Sequence, residues 1–131
     1  MAGGRLGCGF LMAFRSLLGK LLADVPQALG AIFVDPEGEA VDWVARAGDP
    51  YGLKIEGAYH SIFMRHLHSV AATSGSGGIA SVVVAGSRLV TLTQALPDGY
   101  HVVLVVAREA SQAQALNCLR SSARAFAEQL A

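Results

Sequence analysis

Three clusters of residues in this chain have types and spacings that could do chemistry. The first is the run TSGSGGIASVVV from Thr73 to Val84, a glycine-rich loop in front of an apolar segment. A phosphate-cradling loop needs a helix N-terminus behind it to supply backbone N–H donors and the positive end of a dipole. Here a helical pattern enters the loop and a strand leaves it, and Gly77-Gly78 is followed by Ile79 where a phosphate loop has its lysine. The glycines therefore read as a chain reversal between a helix and a strand, with no nucleotide bound there. The second cluster is His60, His66 and His68, three imidazoles within nine residues. On a helix His66 and His68 point about 200° apart and His60 and His68 differ by about 80° across two turns, so the three cannot share one ion. His101, in a strand, supplies no obvious fourth ligand. The third is Asp35, Glu37 and Glu39 at a hairpin tip. Pro36 and Gly38 between them make an ordinary turn, and the acid count falls short of a calcium loop.

Nucleophilic catalysis finds no better footing. There is no Gly-x-Ser-x-Gly elbow, and Cys8 and Cys118 lie far apart and outside any catalytic, zinc-binding or disulfide-scaffold signature. Ten basic and ten acidic side chains cancel and are scattered, so no basic stripe exists to follow a nucleic acid. Charged residues make up only 15% of the 131 and apolar ones 53%, an excess that points to surface buried in a protein interface. The N-terminal MAGGRLGCGFLMAF has a brief apolar run, no small-residue cleavage site, and Arg15 and Lys20 close behind. Residues 1–13 read as a flexible leader and 14–131 as one domain. No segment reaches the roughly eighteen apolar residues that cross a bilayer, so a cytoplasmic protein without cofactor or metal is expected.

The elements that would position any site follow from periodicity. Phe14, Leu17, Leu18, Leu21, Leu22 and Val25 recur at three and four, one face of a helix stopped by Pro26. GAIFVD, PEG and AVDWVA form a hairpin whose first strand is apolar at successive positions, as a doubly buried strand must be, and whose second alternates like a sheet edge. A second helix is expected from about Leu53 to Val70. Its apolar residues Ile55, Ala58, Tyr59, Ile62, Phe63, Leu67 and Val70 span an arc of roughly 180°, more than one sheet face needs, which suggests a second body packed against it. IASVVVAG and SRLVTLTQAL follow as a hairpin joined by Gly86-Ser87; Pro97-Asp98-Gly99 then turns the chain into the apolar strand YHVVLVVA. A last helix keeps Leu116, Leu119, Ala123, Phe126 and Leu130 on one side. Tight hairpins make the sheet largely antiparallel, with helices on both faces. Trp43, the single tryptophan, falls on the edge strand.

The element order, together with LGAIFVDPEGEAVDW, GSGGIASVVVAG and LVTLTQALPDGYHVVLVVA, resembles the roadblock family over about Leu17 to Leu130. That family includes dynein light chains and bacterial regulators of Ras-like GTPases. The resemblance implies an α+β, profilin-like α-β-β-α-β-β-β-α sandwich on a five-stranded antiparallel sheet in the spatial order two, one, five, four, three. It further implies a non-enzymatic homodimer that binds a small Ras-like GTPase and modulates its nucleotide cycle or localisation. Pairing through the second helix and third strand would place Ile55, Tyr59, Ile62, Phe63, His66, Val70, Ile79, Ser81 and Val83 at the dimer interface. On the helix flank beyond the apolar arc, His60, Met64, Arg65 and His68 would meet the partner. The other reading is a small-molecule sensor domain on a similar sandwich, which needs a pocket with convergent polar groups.

Overall fold

Pro26 has no N–H to give a helix and disfavours helical backbone at the residue before it, and the first helix accordingly ends at Asp24. The computed structural model describes residues 8–46, 64–75 and 77–131. Within them run α1 (Cys8–Asp24), β1 (Ala28–Val34), β2 (Ala40–Ala45), the described part of a second helix, α2 (64–74), β3 (Ser81–Ala85), β4 (Leu89–Ala95), β5 (His101–Ala107) and α3 (Gln112–Leu130). The fold is α+β: five strands in the order β2-β1-β5-β4-β3, every neighbouring pair antiparallel. The doubly apolar strands β1 and β5 are the inner ones, as their composition requires.

Two helices cover one face of the sheet. Ala31 and Phe33 of β1, Val102, Leu104 and Val106 of β5, and Val90 and Leu92 of β4 are buried together with Phe14, Leu18 and Leu21 of α1 and Leu119 and Phe126 of α3. Phe33 is the hub. Its ring stacks at 4.2 Å on Phe14, 5.4 Å from Tyr100 and 5.7 Å from Phe126. The residues between these on β1 and β5, namely Ile32, Val34, Val103 and Val105, point to the opposite face and are buried there with Trp43 packed beside them.

α1 is tied to the β2 side by polar contacts as well. Arg46 Nε donates to Ala28 O at 2.9 Å and its Nη2 to Leu22 O at 2.6 Å, a carbonyl in the last turn of α1 that also accepts from Val25 N–H at 3.4 Å. Arg15 pairs with the buried carboxylate of Asp42, Nε lying 3.0 Å from Oδ2.

Two boundaries differ from the sequence reading. α1 starts at Cys8, so residues 8–13 belong to its first turns. Beyond Gly9 they include no strong helix breaker, and a helix once nucleated adds residues cheaply. The β3–β4 connection sits one residue later than expected: Gly86 N–H donates to Leu89 O at 2.8 Å, leaving Ser87 and Arg88 as the two loop residues.

Candidate protein-interaction face

The glycine loop determines where α2 and β3 lie relative to one another. Gly75 and Gly77 adopt φ of 76° and 86°, left-handed backbone that a side chain disfavours, and so the chain can reverse within a few residues of the helix end. Across the reversal, Ile79 N–H donates to Nδ1 of His68 at 3.4 Å. His68 thus links α2 to the segment that enters β3.

On α2 the inward residues are Met64 and Ala71, both buried, with Leu67 and His68 half-buried between them at helical spacing. Arg65, His66, Ser69 and Val70 are exposed. Met64 therefore does not present its side chain to a partner, contrary to the expectation from the sequence. The apolar arc of this helix is too broad for a helical wheel to say which flank meets the sheet, and the side that Met64 lies on is the buried one. The other expected residues of this face are available to different degrees: His66, Val70 and Val83 are exposed, whereas Ile79 and Ser81 are half-buried. Ile55, Tyr59, His60, Ile62 and Phe63 lie outside the described residues.

β3 is an end strand of the sheet, bonded among the described residues to β4 alone. Ala80 O accepts from Ala95 N–H and Gly86 pairs with Leu89, so the alternation of an antiparallel ladder turns the backbone groups of Ser81, Val83 and Ala85 away from β4 into the open edge. Five large apolar side chains among the described residues are exposed. Three of them lie in the β3–β4 hairpin, Val83 at 37%, Val84 at 42% and Leu89 at 44%, and a fourth, Val70 at 64%, is on α2. Val84 and Leu89 also line a shallow hollow at the hairpin end, of about 540 Å³, with Gly86, Ser87, Arg88 and Thr91. The sequence reading missed these two. The apolar run Val82–Val84 was a signal for the first, but only the strand register places Leu89 beside it.

β2, the other end strand, is built differently. It carries a bulge, since Phe33 pairs with Asp42 but Val34 with Ala40, leaving Val41 as the extra residue. Asp42 Oδ1 accepts from the N–H of Trp43 at 2.9 Å. At the β1–β2 tip, Asp35 Oδ1 accepts from the N–H groups of Glu37 and Glu39 at 3.0 and 2.9 Å, so the acid cluster closes its own turn.

Beneath α2, at the start of β5, His101 is 6% exposed and its buried Nδ1 has no hydrogen-bond partner among the described residues. Burial, reinforced by the nearby His68, pushes its pKa down to about 4. Among the described residues no three of His, Cys, Asp or Glu come together as metal ligands do. A cleft of about 290 Å³ between α1 and α3 is lined by Lys20, Asp24, Asn117, Cys118, Ser121 and Ser122 along with apolar residues. It lies at the low end of the size of ligand pockets, and Lys20, Asp24, Asn117 and Ser121 are solvent-exposed. Among the described residues no helix is long and apolar enough to cross a membrane.

Solved structures share this architecture nearly end to end. The Roadblock/LC7 domain from Streptomyces avermitilis matches with a TM-score of 0.79 at 19% identity, over 88% of this chain and 95% of that one. The chain has the roadblock fold. The gliding protein MglB from Thermus thermophilus is similar with a TM-score of 0.82 at 18% identity, over 94% and 91% of the two chains. An MglB in a tetrameric arrangement gives 0.83 at 18% identity, over 94% and 90%. No family model and no curated protein matches the sequence. At these identities the likeness concerns the roadblock fold itself, and the strand order expected from the resemblance is the one observed.

Proposed function

We propose that this protein is a non-enzymatic, cytoplasmic regulatory module that pairs with a second copy of itself through α2 and β3 and, as a dimer, binds a small Ras-like GTPase. The observation that carries the reading is the open β3 edge: outward backbone groups at Ser81, Val83 and Ala85, with Val83, Val84 and Leu89 exposed in the same hairpin and Val70 exposed on α2. An antiparallel second β3 would satisfy those groups and cover those side chains about a twofold axis. The similarity to an MglB in a tetrameric arrangement supports self-association on this fold.

Regulation on this scheme needs no catalytic residue here. A surface that holds the switch segments of a GTPase in one conformation shifts its population by differential binding alone. Of the flank residues within the described part of α2, Arg65 is exposed and His68 half-buried, so Arg65 is the side chain best placed to reach a partner without disturbing the sheet. The test is retention of a Ras-like GTPase from the native organism on immobilised protein. Arg65→Glu reverses one exposed charge, and retention is expected to fall roughly tenfold while light scattering still reports a dimer. Full retention by Arg65→Glu would move the contact off α2, and a protein that retains no such GTPase in either nucleotide state would overturn the functional reading.

A further inference from the structure

His68 and His101 carry more than their place in the core explains. His101 is buried on the face beneath α2 with an unpartnered Nδ1, and His68 reaches it electrostatically from α2. At the same time His68 uses its own Nδ1 to accept the Ile79 N–H that leads into β3. Protonating His101 places a charge without a partner in a buried site near the imidazole that fastens Ile79.

We propose that buried His101, set beside the His68–Ile79 bond, is an acid-sensitive latch that leaves α2 held to the entrance of β3 while it is neutral and releases that junction when it is protonated, loosening the surface on which the proposed dimer forms. The last clause rests on the dimer reading; the latch itself does not. Among the described residues the charged or titratable group acting on His101 is His68. The strand neighbours of His101 are Val34 and Ala95, Val103 lies beyond it on the same face, and Arg65 and His66 of α2 are turned to solvent.

The direction follows from linkage. With a folded-state pKa near 4 against 6.5 for a free imidazole, the closed junction binds the proton less well than the open one. The closed form is therefore fully favoured above about pH 6.5 and progressively lost as pH falls towards 4. At pH 5 the opening equilibrium rises roughly thirtyfold.

Hydrogen exchange at single amides reads this directly. The protection factor of the Ile79 amide, corrected for the intrinsic exchange rate, is expected to fall roughly thirtyfold between pH 7.5 and 5 in the wild type, and not in His101→Leu or His101→Gln, which cannot take up the proton. Two variants of different polarity are used because either could perturb packing at a buried site. An equal fall in a folded His101 variant, or constant protection in the wild type, overturns the latch. Sedimentation across the same range separates the two readings. A protein that is monomeric at every pH but whose Ile79 opens on acidification keeps the latch and refutes the dimer, whereas a dimer unchanged at pH 5 while Ile79 opens refutes the coupling between them.

Discussion

The two ends of the sheet face the same physical problem and answer it differently. An end strand presents a row of unpaired N–H and C=O groups on which another chain can build. β2 is protected by devices of its own. The bulge at Val41 breaks the regular edge, the Asp42 carboxylate takes up the N–H of Trp43, Arg15 clamps that carboxylate, and Arg46 ties the strand's end to α1. β3 has none of these among the described residues. It is short, with a regular register against β4 and exposed valines on both of its faces. Evolution discards an edge of that kind as an aggregation hazard unless something covers it. The difference teaches that exposed apolar surface is informative here by position: one edge is finished within the chain, and the other is left open, where the proposed second copy would finish it.

The largest effect expected from breaking this contrast comes from the side that is closed. Phe33 stands on β1 directly behind β2 and stacks on Phe14, Tyr100 and Phe126. Phe33→Ala removes the hub of the core and leaves a cavity, which costs roughly 3–5 kcal/mol. Thermal melting should show a fall of roughly 10 °C or more. A drop of only a degree or two would mean that the three rings do not act as the anchor of the closed side. Asp42→Asn is milder. It keeps the shape and an acceptor for Trp43 N–H but removes the charge that Arg15 binds, and it should lower the melting temperature by roughly 3–5 °C without changing the oligomeric state. New association in that variant would show that charge alone had kept the β2 edge apart.

Much of this arrangement was legible in the chain. Unbroken apolar runs at Ala31–Val34 and Val102–Ala107 put β1 and β5 inside, because a strand buried on both faces cannot alternate. AVDWVA alternates and lies at an edge, and PEG and PDG mark their turns. The glycine run is the expected reversal, with positive φ at Gly75 and Gly77. Side-chain direction on α2 was less legible. A helix that is apolar over half its circumference fixes no single inward line, so Met64 passed for a surface residue though it is buried. The Asp42–Arg15 pair escaped for a different reason: an acid in an alternating strand reads as the wet face, and only the bulge at Val41 and the nearness of α1 turn it into a buried, paired group. His101 likewise looked like an ordinary strand residue, since the helix that covers its face is distant in sequence.

The central claim is that the β3 edge is completed by a second copy and the β2 edge is not. It is tested most directly by placing the same charge on each edge and measuring mass in solution at micromolar concentration by sedimentation equilibrium. Val83 is solvent-exposed in the single chain, so Val83→Glu should change the stability of one subunit by no more than about 0.5 kcal/mol. In a β3–β3 contact the same glutamate is buried without a partner, at a cost of several kcal/mol, and should weaken association by roughly a hundredfold or more. Ala45→Glu carries the same charge to the β2 edge. The account predicts a wild-type dimer, a monomeric Val83→Glu and a dimeric Ala45→Glu; a wild-type monomer, or a dimer that Ala45→Glu dissolves and Val83→Glu leaves intact, contradicts it.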